Sequence, residues 1–138
     1  MKTQQDLNKE VVISFNKEVI EQGNLKSFRK LVDDNVINHA APAGASSGPD
    51  SMSYFIFDVL RKGFDIKKVN ILEQVAENDK VVSRKEIHAV HTGHFMEVPA
   101  TNKNVTIKII DIIRVKDGKY AEHWGIGNIS DIIKELSE

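Results

Sequence analysis

The sequence of 138 residues contains no cysteine and no excess of charge of either sign. The absence of cysteine excludes disulfides, thiolate metal ligands and a cysteine nucleophile. A formal net charge of −1 leaves no basic field for nucleic acid or an anionic membrane. The polar start MKTQQDLNKE lacks the apolar core of a signal peptide, and no later run reaches the length of a membrane span. We therefore expect a soluble, cytoplasmic protein.

The residues that are present are typical of one globular domain. The length falls in the single-domain range. Hydrophobic residues make up 41% of the chain and charged residues 28%, as in ordinary soluble proteins. A chain of this size buries enough surface to form a core and an internal pocket. Residues 1–138 are therefore expected to form a single domain.

The first half of the chain has the periodicity of helices. Apolar residues recur at steps of three and four over 4–22, and Gly23 then suits a left-handed helix C-terminus. Asn24 is suited to cap a short second helix. A third helix is predicted from near Pro49 to the residue before Gly63. The intervening segment VINHAAPAGASSGPD predicts a short strand followed by a surface loop.

After residue 65 the period changes to the alternation of β-strands. The predicted strands span 67–77, 80–92, 103–116 and 119–128. Asn78-Asp79 and Asp117-Gly118 mark the reversals between paired strands. Helices followed by an antiparallel meander predict an α+β fold, in which one curved sheet packs its inner face against the helices.

The second hairpin predicts a cluster of unusual residues on one sheet face. A two-residue turn at 117–118 would place Asp111 opposite Trp124 and Ile113 opposite Glu122. That face is otherwise mostly apolar, with Asn128 at its end. Carboxyl groups buried on it would have raised pKa values, as general acids and bases in pockets often do. The alternative, that each carboxylate pairs with an arginine or a backbone NH or lies at the wet mouth of the sheet, stays open.

The first hairpin pairs Glu73 with Arg84. This spacing favours a cross-strand ion pair. Arg84 is alternatively a candidate counter-ion for an acidic ligand in the pocket.

Three histidines, His88, His91 and His94, follow one another at a spacing of three. Alternation along a strand sends His88 and His91 to opposite faces, so no metal site is predicted. His88 is expected to have a structural role, and His123 is expected to point away from the pocket. His39 ends the predicted short strand before the small-residue loop, where it is a candidate for the pocket rim.

Three aromatic residues have two interpretations each. Tyr54 and Phe57 lie off the main apolar stripe of the third helix, so they either line a cavity or pack against other elements. Trp124 is either a core residue or a platform for a ligand.

Two segments together resemble a known family. HTGHFMEVPAT and DIIRVKDGKYAEHWGIGN are similar to segments of the SnoaL-like polyketide cyclase or ester-cyclase group, within the superfamily that has the nuclear transport factor 2 (NTF2) fold. The loop that begins NHAAPAG resembles the histidine-containing segment of that group. The resemblance covers nearly the whole chain.

The resemblance implies a cone-shaped α+β barrel with a curved antiparallel sheet around the N-terminal helices and a deep apolar cavity. It also implies a homodimer formed through the sheet. The characterised chemistry of the group is ring closure by intramolecular aldol condensation, with acid–base side chains and neither a metal nor an organic cofactor. We therefore expect no cofactor and a small molecule as the ligand or substrate.

Transferred position by position, the resemblance implies His39 and His91 as pocket histidines, with Phe95, Trp124 and Glu122 as lining residues. The group often has an aspartate a few residues after the tryptophan, where this sequence has Asn128. Asparagine cannot carry a proton for acid–base catalysis. Asp111 is then the candidate base, because the predicted register keeps it on the same face.

Two hypotheses follow for the function. The first is a small-molecule protein with an apolar pocket that acts as a cofactor-independent cyclase, isomerase or lyase on a polyketide-like or other oxygenated apolar substrate, with Asp111 or a histidine as base and Glu122 as a further candidate. The alternative is a non-catalytic module that binds a ligand or acts through a dimer on the same fold.

Overall fold

The computed structural model describes all residues, 1–138. Five α-helices are present, two of which continue as π-helical segments, together with five strands. The helices are α1 Gln4–Ser14, continued by Phe15–Glu21, α2 Leu25–Leu31, α3 Pro49–Ser53, continued by Tyr54–Leu60, α4 Arg61–Gly63 and α5 Ile129–Leu136. The strands are β1 Val32–Asn38, β2 Asp65–Glu77, β3 Lys80–Val90, β4 Asn104–Lys116 and β5 Lys119–Gly127.

The helix ends in the first third of the chain are those expected from the sequence. Gly23 has a φ of +68°, the left-handed conformation that glycine adopts without strain at a helix end. Asn24 caps α2 by accepting a hydrogen bond from the backbone N–H of Ser27 at 3.1 Å. No helix is both long and apolar enough to cross a membrane.

The five strands form one sheet in the order β1-β5-β4-β3-β2. The strands β2 to β5 form the expected antiparallel meander, whereas β1 pairs in parallel with β5. The two edge strands do not pair with each other, so the sheet remains open. The α+β prediction is confirmed. The parallel pairing of β1 and the terminal helix α5 were not predicted.

One face of the sheet, which we call the inner face, packs against the helices. Alternate residues of β3 and β4 are buried on it, and among them are Val81, Ile87, Ile107 and Ile113. The other side, the outer face, carries residues that are exposed or half-buried. This two-sided arrangement follows from the period of two along a strand.

The register of the first hairpin is confirmed. Val75 pairs with Val82, and Glu73 pairs with Arg84. The turn at Asn78-Asp79 therefore sets the relative position of β2 and β3 as the sequence predicted.

The predicted register of the second hairpin is wrong beyond residue 120. The turn pairs Lys116 with Lys119 as predicted, but Arg114 pairs with Glu122 because Ala121 forms a β-bulge. An extra residue in one strand sends every later side chain to the opposite face. Asp111 therefore lies opposite Gly125, and Ile113 opposite His123.

The bulge reverses four expectations about orientation. His123 lies on the inner face, although the sequence predicted that it points away. Glu122 and Trp124 lie on the outer face with the half-exposed side chains of β4, and Asn128 does not share the face of Asp111.

Candidate functional site

The helices and the inner face enclose a cavity of about 240 Å³. Its wall is predominantly apolar. The apolar residues include Phe15, Ile20, Met52, Phe55, Ile56, Leu60, Ile87, Ile109 and Ile129. Exposed residues of the loop after β1, such as Ala40 and Pro42, line the cavity together with Ile126 at the end of β5. These exposed residues form its mouth.

A charged group lies within the apolar wall. Asp111 and Lys85 both line the cavity, and their exposed fractions are only 2% and 6%. Asp111 Oδ2 lies 3.2 Å from Lys85 Nζ and 3.5 Å from His123 Nε2. Asp111 Oδ1 is buried and has no hydrogen-bond partner in the protein. One oxygen of the carboxylate is thus occupied, and the other is free.

Asn16 holds the lysine from the π-helical extension of α1. Lys85 Nζ donates to Asn16 Oδ1 at 2.7 Å. Asn16 Nδ2 donates to the Val12 carbonyl at 2.9 Å, so the amide can present only its oxygen to the ammonium. π-Helical turns occur frequently at functional sites. Asn16 itself is fully buried.

Asn38 at the end of β1 holds the histidine. Asn38 Oδ1 accepts a hydrogen bond from the backbone N–H of Ala40 at 3.0 Å, which identifies this atom as the oxygen. His123 Nδ1 lies 2.8 Å from the same oxygen and must donate to it. A neutral His123 therefore carries its proton on Nδ1 and directs the lone pair of Nε2 toward Asp111.

Gly125 has no side chain, which leaves space for the His123 ring next to Asp111. Gly125 pairs with Asp111 across the strands. A Cβ atom at this position would lie 3.1 Å from the His123 ring and 3.3 Å from Asp111 Cβ. A larger residue at position 125 would therefore crowd both groups.

The electrostatic environment keeps Asp111 ionised and Tyr120 neutral. Burial raises the pKa of Asp111, but the Lys85 ammonium and the His123 ring, in its protonated form with Nε2 as donor, outweigh burial, so the pKa of Asp111 lies below the ordinary value. Burial and then the Asp111 carboxylate raise the pKa of the Tyr120 phenol well above its ordinary value. The cavity therefore contains a carboxylate base at neutral pH beside a neutral phenol.

Three residues predicted for the pocket, His39, Glu122 and Trp124, do meet, but on the outer face. Glu122 Oε2 accepts from His39 Nε2 at 2.6 Å, and Glu122 Oε1 accepts from Arg114 Nε at 2.9 Å. These hydrogen bonds, that of His39 first, lower the pKa of Glu122. The His39 ring stacks on Trp124 with centroids 4.8 Å apart. None of these residues lines the cavity.

His91 and Phe95 are buried next to Phe64, outside the cavity lining. The Thr101 backbone N–H and hydroxyl lie 3.3 and 2.9 Å from His91 Nδ1. Because Nδ1 accepts from the backbone, a neutral ring carries its proton on Nε2, which has no partner.

The other predicted pocket residues also lie outside the cavity lining. Arg84 forms an exposed ion pair with Glu73 at 2.6 Å. Tyr54 is 62% exposed, and Phe57 packs edge-on against Phe28.

Asn128 links the end of β5 to β4. Its Oδ1 accepts from the Lys108 backbone N–H at 2.8 Å, and its Nδ2 donates to the Thr106 carbonyl at 3.3 Å. Because both ends of the amide bind backbone groups, Asn128 serves as a structural residue in this position.

Of the predicted candidates, only Asp111 lines the cavity. The site residues Lys85, Asn16, Asn38 and Tyr120 were not predicted from the sequence. For Lys85 a signal existed, because it occupies an inward position in the alternation of β3. No group of three or more histidine, aspartate or glutamate side chains is arranged to hold a metal ion.

Comparison with known proteins gives a family match over most of the chain. The family model for SnoaL-like polyketide cyclase matches residues 10–136. No curated protein sequence matches significantly.

Solved structures match over nearly the whole length. TsrD from Streptomyces laurentii has a TM-score of 0.83 at 18% identity and covers 98% of each chain. IdmH from Streptomyces antibioticus has a TM-score of 0.79 at 21% identity, covering 95% of this chain and 99% of its own. A SnoaL-like polyketide cyclase from Agrobacterium tumefaciens has a TM-score of 0.70 at 17% identity and covers 99% of each chain. At these identities the similarity establishes the fold, which is NTF2-like.

Proposed function

The chain belongs to the SnoaL-like polyketide cyclase family, and on that basis we propose that it is a cofactor-independent acid–base enzyme. Its substrate would be a small, oxygenated, largely apolar molecule, and its reaction a cyclisation, isomerisation or elimination that begins with removal of a C–H proton. The observation that carries this proposal is Asp111, which lines an apolar cavity and whose ionised, buried carboxylate has one oxygen without a partner in the protein.

In this mechanism Asp111 Oδ1 is the base. It takes a proton from the carbon next to a substrate carbonyl, and the electron pair of the C–H bond moves to the carbonyl oxygen to give an enolate. In a cyclisation the enolate carbon then attacks a second carbonyl of the same molecule, forming a C–C bond. The new alkoxide receives the proton that Asp111 holds, so the enzyme returns to its starting state.

His123 fits the position of a proton relay. Asn38 fixes its Nδ1 as a donor, so Nε2 can accept a proton 3.5 Å from Asp111 Oδ2. A base whose partner can share its proton is able to return that proton at another point of the substrate.

The cavity limits the size of the substrate. A cavity of roughly 150 Å³ holds one benzene molecule. A volume of about 240 Å³ therefore suits a molecule of one or two rings, whose remaining length would pass through the mouth.

Hydrogen–deuterium exchange tests the proposal without knowledge of the natural substrate. 2-Tetralone is a bicyclic ketone whose α-protons can be followed by NMR in D₂O. We expect the protein to accelerate the loss of the α-proton signal, and Asp111→Asn to abolish the acceleration. Asp34→Asn changes an exposed aspartate of β1 and is the matched control. Exchange at the full rate in Asp111→Asn would contradict the assignment of the base.

The alternative is a non-catalytic protein that binds a ligand in the same cavity or acts as a dimer. The outer face supports a dimer, because the apolar side chains Val75, Val82, Ile110 and Ile112 are exposed side by side on paired strands. Contiguous apolar patches of this kind mark interaction surfaces. We propose a homodimer through this face, for the enzyme and for the binding protein alike. Sedimentation should show a dimer that Ile110→Glu converts to a monomer, whereas a monomeric parent protein would exclude it.

A further inference from the structure

Lys85 is a cation buried within the apolar wall. Removing an ammonium group from water is costly unless it is paired. Lys85 is paired with Asp111 at 3.2 Å and Asn16 at 2.7 Å, and it also lines the cavity.

Lys85 and Asp111 have hydrogen-bonding capacity that the protein does not use. An ammonium group has three N–H donors, and Lys85 contacts two acceptors within the protein. Asp111 Oδ1 is buried without a donor. One donor and one acceptor thus remain unused on two groups that line the same cavity. A ligand with an acidic hydrogen next to an oxygen acceptor would satisfy both.

A purely structural ion pair does not explain this geometry. Replacing a buried ion pair by apolar residues is often neutral for stability or even stabilising. A carboxylate oxygen that is buried without a partner has a desolvation cost, and a pair present for structure alone gives no return for that cost. The free Oδ1 therefore points to a ligand.

We propose that Lys85, held by Asn16, binds the oxygen of the ligand on which negative charge develops. This role rests on the base function proposed above for Asp111. Before the reaction the charge of Lys85 is balanced by the Asp111 carboxylate. When the C–H bond breaks, the proton neutralises Asp111 and the electron pair places the negative charge on the ligand oxygen. Lys85 then pairs with that oxygen, so the number of buried charges does not change.

This exchange of partners stabilises the enolate where water is excluded. Donors oriented in advance toward a developing charge are among the strongest contributions to catalysis. Asn16 matters because its oxygen positions Nζ and carries no charge of its own. It therefore leaves the ammonium available to the ligand once Asp111 is protonated.

The test is the binding of phenols of increasing acidity, which imitate the enol and do not turn over. Phenol, 4-chlorophenol and 4-nitrophenol are small enough for the cavity and are titrated by calorimetry at one pH, below the pKa of each. Binding to the parent protein should strengthen with phenol acidity. In Lys85→Met that dependence should become weaker, because only the hydrogen bond to Asp111 then responds to acidity, and 4-nitrophenol should bind about tenfold more weakly, the effect of one charge-assisted hydrogen bond.

Two further variants complete the test. Lys108→Met removes an exposed lysine of β4 and should bind all three phenols like the parent. Asn16→Asp places a second carboxylate on Lys85, so it should reduce the dependence on acidity. If Lys85→Met does not fold, Asn16→Asp decides the question. An undiminished dependence in either folded variant overturns the role of Lys85.

The phenol measurements are independent of turnover. Failure of the ketone exchange with a normal phenol series would remove the proposed reaction and leave Lys85 as the oxygen-binding residue. If exchange depends on Asp111 but the binding of the phenols does not depend on Lys85, only the oxygen-binding role of Lys85 would be removed.

Discussion

The buried ion pair between Lys85 and Asp111 makes a sharp prediction about stability. Lys85→Met would leave the Asp111 side chain, which is only 2% exposed, without its nearest cation. Asp111→Leu would leave the ammonium without its counter-ion. Removal of one partner from a buried pair costs about 3–5 kcal/mol. Each single variant should therefore lose a large fraction of the free energy of unfolding of an ordinary small domain, which is about 5–15 kcal/mol.

The double variant Lys85→Met/Asp111→Leu should be far more stable than the sum of the single changes indicates. Both desolvation costs disappear together, and apolar side chains enter an apolar wall. The Asn16 oxygen and the His123 Nε2 each lose a contact, at about 1 kcal/mol each. The double variant should thus lie within about 2 kcal/mol of the parent, with a coupling energy of at least about 4 kcal/mol.

Urea unfolding at pH 7 measures all four proteins, because the single tryptophan, Trp124, stacks on His39 and reports loss of the fold. The slopes with urea should agree among the variants, so that midpoints compare directly. A double variant that loses the sum of the two single losses would refute the view that these charges compensate each other.

Two other predictions concern acid and packing. In the folded protein the pKa of Asp111 lies below its ordinary value. The stability that ionised Asp111 contributes is therefore complete above the unfolded pKa near 4 and is lost as the pH falls through the lower folded pKa. Between pH 7 and pH 3 the free energy of unfolding should decrease less for the Lys85→Met/Asp111→Leu double variant than for the parent. Gly93→Ala would bring a Cβ atom against the Lys62 carbonyl oxygen, which is backbone and cannot rotate away, so it should lower the free energy of unfolding in urea by about 2–4 kcal/mol. Gly48→Ala, where the new Cβ atom has only a distant contact, should lower it by less than about 1 kcal/mol. A similar loss in both variants would contradict the packing argument.

The sequence was sufficient for the elements whose signals are local. The Asn78-Asp79 turn and the alternation of its strands set the first hairpin correctly. The Asp117-Gly118 turn was correct too, yet the bulge at Ala121 was not predicted. A bulge has no strong local signal, and here tertiary packing fixes it, since Tyr120 packs against Phe15 and Ala121 is buried.

For the candidate site, the sequence identified one residue of the network. Asp111 was recognisable because it interrupts an apolar alternation on β4. The other members of the network come from four distant elements: Lys85 from β3 and His123 from β5 contact Asp111, and they are held by Asn16 from the first helix and Asn38 from β1. No local pattern records which of these side chains converge. The outer-face position of Glu122 follows from the bulge alone.

The end of β1 connects the two sides of the sheet. Asn38 binds His123 at the cavity, and the next residue, His39, binds Glu122 and covers Trp124 on the outer face. A ligand that displaces His123 therefore shifts Asn38, and with it the adjacent residue His39, whose ring stacks on the only indole. Fluorescence of the unmodified protein should report occupancy of the cavity, so ligands can be screened without a label and before any reaction is known.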